Sequence, residues 1–378
     1  MRILRNCLYT LWIVLVSATV LPGQENTYLV QEKSYKTPLS FIGFSPDGTL
    51  LLAGFDDGSF QLLHPEKLEV LLEVDQAHPK AVNGIVMPPN MDFILTAGQN
   101  ILKVWDRQGK HLYDWRAHGT TIWNLDLSSD GKNAVTSAMN RTFLLWDVYN
   151  GKVLKKMQGH QQLCMAVDIS PDDQWIASAA KDEIRIWDLK TRELLQSLHG
   201  PPYEIYDVKF GSGKDLLALA TRKNVVHIWD LAKEEEKVRL QGHQELVLEV
   251  EFCPQGPYLL SASADQSVIL WDIRRGERIH QFLDQEGAVS DLVFHPDGQS
   301  FFLVSSAGEL KQYRLDPELF VRRYYPDEYL KELSLEPGLE ERRKGESRKA
   351  YESRLKQAEG KKRSITERYY NRYLEEIR

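Results

Sequence analysis

Histidine, serine and aspartate recur in this chain at spacings that could build a nucleophile–base–acid relay, the set used for acyl transfer. His243, Ser261 and Asp265 are one such set; His160, Ser178 and Asp182 are another. A hydrolase needs one relay at one place, whereas here the set returns with the period of a repeat, which points to scaffold. The sequence contains no phosphate loop, no His-Glu-x-x-His and no Gly-x-Ser-x-Gly. Apart from Cys7, the thiols are Cys164 and Cys253, and two lone cysteines give neither a disulfide framework nor a zinc site. No catalytic residue, metal site or cofactor is therefore expected.

The elements that carry these residues follow from tryptophan spacing. Five Trp-Asp pairs begin at Trp105, Trp146, Trp187, Trp229 and Trp271, at intervals of 41 or 42 residues. Continuing that frame reaches Leu63-His64 on one side and Tyr313-Arg314 on the other, so the chain holds seven units. Ala77-His78, Ala117-His118, Gly159-His160 and Gly242-His243 each precede their Trp by 27 or 28 residues. Ser45-Pro46-Asp47-Gly48, Ser129-Asp130-Gly131, Ser170-Pro171-Asp172 and His295-Pro296-Asp297-Gly298 supply turns of the type I pattern. Between the turns run short apolar stretches such as Val247 to Phe252 and Ser267 to Trp271, four strands to a unit.

A His dipeptide, about 28 residues and then Trp-Asp, repeated at about 42, resembles the WD-repeat β-propeller family. The resemblance implies an all-β fold, a seven-bladed WD-repeat β-propeller with a C-terminal helical extension. It also implies a hydrogen-bonded tetrad inside each well-formed blade. The candidate tetrads are His78, Thr96, Asn100 and Trp105; His118, Thr136, Asn140 and Trp146; His160, Ser178, Asp182 and Trp187; and His243, Ser261, Asp265 and Trp271. The fifth unit keeps only Trp229, with Pro201, Leu219 and Lys223 at the other places. The last unit lacks a fourth strand before Pro317, and residues 27–32 are expected to complete it, closing the ring.

The family binds partners on the face that carries the His loops and the turns before the Trp strand. Carried onto this chain, that face presents Lys80, Gln99, Thr120, Met139, Gln162, Lys181, Tyr203, Arg222 and Glu245. The expected function is a non-catalytic protein–protein interaction scaffold whose partners the sequence does not identify. The alternative is a ligand-binding, metal-binding or enzymatic propeller with its site over the channel. Channel-facing strands carry Asp126, Asp168, Asp207, Glu249, Glu251 and Asp291, which would attract a cation or lie as a solvated ring.

The chain ends differ from this body. Arg2 and Arg5, an apolar run from Cys7 to Leu21, then Pro22-Gly23 form the layout of a secretory signal peptide over 1–23. Cleavage is expected after Gly23, with Ala18 as the second choice. Export to the periplasm or the exterior follows; an uncleaved N-terminal anchor is the alternative. Residues 24–316 hold 29 basic and 41 acidic side chains, against 16 and 13 in the tail, 317–378. An acidic propeller excludes a whole-chain nucleic-acid binder, and a closed ring is expected to be monomeric. In the tail, Ile365, Tyr369, Tyr373 and Ile377 form an amphipathic stripe. That stripe either meets a partner or a membrane surface or folds back on the propeller; residues 340–362 carry no such stripe and are open to disorder.

Overall fold

A computed structural model describes residues 28–116, 118–181, 183–335 and 347–376. The expected leader, Ala117, Asp182 and Ile377 lie outside the described residues. Within them, strands assemble into seven antiparallel four-stranded sheets. We call these blades 1 to 7 and name the strands in each from a (innermost) to d (outermost). The seven a strands contact one another in sequence order, and Val289–Phe294 of blade 7 meets Leu39–Phe44 of blade 1, so the array is a closed ring.

Alternation and bulges shape each blade. In every a–b pair the register slips once near the start of strand a, as between Ile205 and Asp207 or Val289 and Asp291. Six of the c–d pairs slip beside the Trp position, as between Ile186 and Trp187. Repeated bulges of this kind add twist and re-aim the side chain that follows. The a–b turns are built locally: Gly48 N–H donates to Ser45 O at 2.9 Å with φ +71°, a conformation in which glycine carries no Cβ penalty. Ser45 Oγ donates to Asp47 Oδ1 at 2.6 Å, tightening the same turn.

Between blades, apolar faces interlock. Trp105 of blade 2 packs with Leu52, Phe60 and Leu62 of blade 1, and Trp187 of blade 4 with Val135, Phe143 and Leu145 of blade 3. A large flat indole seals each such junction and dominates its apolar burial.

Ring closure takes the expected route two residues later than the sequence suggested. Leu29–Ser34 pairs antiparallel with Glu309–Arg314, making the outer strand of blade 7. Thr27 lies outside the described residues, and the strand extends to Ser34 because the ladder continues to Glu309. The first and last strands among the described residues thus share one sheet, which removes an open edge.

The tail is helical and docked. Helix α1 spans Pro317–Tyr324, α2 Pro326–Ser334 and α3 Arg348–Glu376. Asp316 caps α1, its Oδ1 accepting Glu318 N–H at 2.8 Å, and Pro317 sits at the first helical position. The sequence places a helix-like region from Asp316-Pro317 onward, and the structure divides it at Tyr325 into α1 and α2. Leu319, Phe320, Tyr325 and Tyr373 join the core of blades 6 and 7, while Tyr329, Val321 and Ile365 bind the helices to each other. The stripe therefore folds back on the propeller, and residues 348–362 belong to α3 rather than to a disordered stretch. Among the described residues no helix is long and apolar enough to cross a membrane.

Candidate functional site

Each blade runs its d–a loop and its b–c turn to the same end of the ring, the loop face. The tetrads lie just beneath it. In blade 6, Trp271 Nε1 donates to Ser261 Oγ at 2.8 Å, His243 Nε2 lies 2.7 Å from that hydroxyl, and His243 Nδ1 lies 3.0 Å from Asp265 Oδ2. If Nδ1 carries the proton and donates to Asp265, Nε2 accepts from Ser261, and every polar atom is satisfied. Burial would raise the Asp265 carboxyl, but hydrogen bonds from His243, Ser267 and the Gln244 N–H outweigh it and hold it low.

The other tetrads depart from the expected set. In blade 4, His160 Nε2 and Trp187 Nε1 meet Ser178 Oγ at 2.8 and 2.9 Å. The acid on His160 Nδ1 is Glu183, at 2.9 Å, one residue beyond the assigned Asp182. A turn one residue shorter puts the first residue of strand c within reach. Glu183 also accepts from Arg185 Nε at 2.6 Å and Ser197 Oγ at 3.1 Å.

In blades 2 and 3 the His–Thr–Trp part forms, with all four bonds between 2.7 and 2.9 Å. The asparagine arm does not form in blade 2. Among the described residues, Nδ1 of His78 has no hydrogen-bond partner, and Asn100 does not reach it. In blade 3, Asn140 Oδ1 caps its own turn, accepting Thr142 N–H and Oγ1–H at 2.8 Å each. Burial, with Lys103 nearby, pushes the His78 imidazole down to about 4; burial and Lys156 do the same to His118. These imidazoles are neutral, packed and bonded to a scaffold hydroxyl.

Blades 1 and 7 replace the tetrad with other bonds. Tyr35 stands where blade 1 would carry its His and donates to Gln61 Oε1 at 3.2 Å. Tyr313 stands for Trp in blade 7 and donates to Asp284 Oδ2 at 2.5 Å. There Glu309 accepts Ser305 Oγ and Glu286 N–H, both at 2.8 Å, and pairs with Lys311 at 2.6 Å. Blade 5 has Leu219 in the hydroxyl's place, and Trp229 Nε1 is buried without a partner among the described residues.

The loop face is stapled along the ring. The b–c turn of one blade accepts from the start of the next: Asn140 O from Cys164 N–H at 2.9 Å, Gly58 O from His78 N–H at 2.9 Å, and Gln99 O from Ile122 N–H. Within blades, Arg222 N–H donates to Glu204 O at 2.9 Å and Met139 N–H to Thr121 O at 3.1 Å. Lys80, Thr120, Gln162, Lys181, Arg222 and Glu245 are exposed on this face; Gln99, Met139 and Tyr203 are half-buried. All nine sit on d–a loops or b–c turns of the ring.

The channel acids do something that spacing did not reveal. Asp126 Oδ2 accepts Ile169 N–H at 2.7 Å, and Asp168 Oδ2 accepts Phe210 N–H at 2.8 Å. Asp207 Oδ2 accepts Val250 N–H at 3.3 Å, and Asp291 Oδ2 accepts Ile42 N–H at 3.0 Å. Each carboxylate ties its blade to the next blade's inner strand. A cavity of about 470 Å³ opens on the opposite, turn face and is lined by Asp126, Asp168, Lys209 and Glu251. The Lys209 ammonium lies 3.8 Å from Asp168 and 4.0 Å from Glu251. Burial and the neighbouring Asp126 raise Asp168, while the surrounding carboxylates overcome burial to keep Lys209 charged. Among the described residues no three His, Cys, Asp or Glu side chains are placed to hold a metal ion.

Seven closed four-stranded blades, with His–hydroxyl–Trp bonds under one face, define a WD-repeat β-propeller. Residues 69–106, 109–147, 151–188 and 234–272 match the family described as WD domain, G-beta repeat. It is 26% identical over 171 residues to a guanine nucleotide-binding protein subunit beta-like protein of Encephalitozoon cuniculi, covering 41% of this chain and 51% of that one. It is 26% identical over 198 residues to U3 small nucleolar RNA-associated protein 12 of Saccharomyces cerevisiae, covering 47% and 21%. With Autophagy-related protein 16 of Arabidopsis thaliana it shares 30% identity over 120 residues, covering 30% and 23%. The aligned regions span about half or less of these relatives' lengths.

Proposed function

We propose that the chain is a non-catalytic protein–protein interaction scaffold that exposes its loop face to partners after export across the cytoplasmic membrane. One observation carries this reading. The His, Ser and Asp residues that could do chemistry bond to one another and to Trp beneath the surface, while the face above them is a rigid, backbone-stapled platform of varied side chains. A rigid platform suits recognition because little conformational entropy is lost when a partner docks. Four stretches of the chain match the WD-repeat model, which supports the class and leaves the partner open.

The test is a photo-crosslinking residue placed on the full chain in its native compartment, at Thr120, Gln162 or Glu245 in turn. Specific crosslinked partners at the loop face, absent when the residue is placed on the outer strands, are the expected outcome. Crosslinks confined to the outer strands or to the tail would overturn it. Export rests on the basic, apolar and small-residue order of residues 1–23. N-terminal sequencing of purified protein should find a start near Gln24, and a retained Met1 on soluble protein would overturn it.

A further inference from the structure

We infer that blades 4 and 5 of the loop face form the docking sector, and that its occupant is an acidic, extended segment of a partner protein. This rests on the scaffold reading and names the sector and the partner chemistry.

Charge divides the loop face into two halves. The d–a loops and b–c turns of blades 6, 7 and 1 carry Asp56, Asp57, Glu245, Asp265, Asp284 and Glu286 against Lys36. The same segments of blades 3 to 5 carry Arg141, Lys181, Arg222 and Lys223 against Asp182 and Glu204. On a propeller with 29 basic and 41 acidic residues, a cationic sector runs against the body's own sign. An acidic segment would be drawn to this half and repelled by the other.

The local geometry is that of a receiving surface. A cavity of about 290 Å³ on blade 4 is lined by Gln161, Gln162, Lys181, Glu183, Ser197, Leu198 and His199. Among the described lining residues the carboxylate is Glu183, already bonded by His160, Arg185 and Ser197, so it does not oppose an incoming anion as a bare charge would. Lys181 stands exposed at the rim and makes no ion pair among the described residues. Beside it, Leu163 is 39% exposed and offers an apolar contact.

Blade 5 supplies the second half. Its Pro201-Pro202-Tyr203 loop replaces the His loop with a rigid one, and Lys223 Nζ lies 5.3 Å from the centre of the Tyr203 ring. Arg222 pairs with Glu204 at 3.3 Å, and Arg239 is held by Glu236 at 2.6 Å, so Lys181 and Lys223 are the cations the sector offers. The sector thus combines ammonium groups, an aromatic ledge and an apolar contact along two adjacent blades. That arrangement fits an extended strand bearing carboxylates and an occasional apolar side chain.

The experiment uses a short fluorescein-labelled peptide of alternating glutamate, leucine and serine with the full mature chain. Two companion peptides carry lysine or phosphoserine in place of glutamate. Anisotropy should show binding of the glutamate peptide that weakens as salt is raised. Lys181→Glu with Lys223→Glu should lower its affinity at least about tenfold, while Glu66→Lys, in the exposed c–d turn of blade 1 on the opposite face, leaves it unchanged. No binding, equal binding by the double variant, or binding only of the lysine or the phosphoserine peptide would overturn the inference. Crosslinkers at Gln162 and Glu245 separate the two levels. Native partners captured only from Glu245 would sink the sector and leave the scaffold standing; none from any loop-face position would sink the scaffold reading itself.

Discussion

The Tyr373 hydroxyl donates to Asp272 Oδ2 at 3.0 Å, across 101 residues of chain. Asp272 is the Asp of the last Trp-Asp pair and is fully buried. Its Oδ1 caps its own turn, accepting Arg274 and Arg275 N–H at 2.9 and 3.1 Å, while Oδ2 also takes Tyr324 Oη–H at 3.1 Å. Tyr324 and Tyr373 stack 4.7 Å apart, and the Arg275 guanidinium lies 4.5 Å over Tyr324. A repeat residue of blade 6 has become the receptor for the tail.

That relationship sets the first expectation. Tyr373→Phe keeps the stacked ring and removes one hydrogen bond to a buried carboxylate, costing about 1.5–3 kcal/mol. Tyr373→Ala also empties the ring's place in the core and should cost about 3–5 kcal/mol. Denaturant unfolding of the full chain measures both. Equal, negligible losses would mean that the tail is not packed as described.

The blade tetrads set the second. Ser261→Ala leaves Trp271 Nε1 and His243 Nε2 without their shared partner, and Thr96→Val does the same to Trp105 and His78. Each should destabilise by about 2 kcal/mol or more, because buried polar groups are stranded rather than removed. Denaturant midpoints should fall for both. Peptide binding to the loop face should persist in whatever fraction stays folded, since the tetrad holds the face and does not contact the partner.

The ring latches set the third. Asp291→Ala strips the acceptor from Ile42 N–H where blade 7 meets blade 1. The expected cost is about 1–3 kcal/mol. Hydrogen exchange should report it as faster exchange of the Ile42 amide. If the loss spread evenly over all blades, the seam would not be where Asp291 acts.

The pH dependence sets the fourth. Burial pushes Glu251 up to about 7, against the pull of Lys209. The folded protein then binds a proton there that the unfolded chain binds only near the ordinary glutamate value of 4.5, so this group favours folding more as pH falls from about 7 towards 4.5. His78 and His118 work the other way. With folded values of about 4 against 6.5, they remain neutral in the fold while the unfolded chain protonates, and stability is lost as pH falls through that window. Glu251→Gln removes only the first contribution. Its stability should therefore decline more steeply than the parent's between pH 7 and 4.5; an identical slope would show that Glu251 titrates as an ordinary carboxyl.

Much of this was legible in the residues themselves. The Trp-Asp spacing, the His dipeptides and the turn triplets each depend on contacts made inside one repeat, so local sequence carried the number of blades and the Trp–hydroxyl–His bonds. The strand that closes the ring could be inferred because blade 7 was one strand short, although its bounds moved to Leu29–Ser34. Glu183 was missed because a one-residue change in turn length decides which acid reaches His160, and turn length acts through three-dimensional reach.

What the tertiary structure alone decided are the pairings between distant segments. Asp126 and Asp207 sit at different positions on their strands and read as loose channel acids, yet each finds a backbone N–H of the next blade. No periodicity encodes that, because the partner is a backbone group any residue could supply. The same holds for Tyr373 and Asp272: the amphipathic stripe said that α3 must bury a face, and only packing chose the face of blade 6 against which it lies. Sequence by itself determined a seven-bladed ring with an apolar helix to hide; burial and hydrogen-bond satisfaction across the closed ring decided where each charge and each tyrosine came to rest.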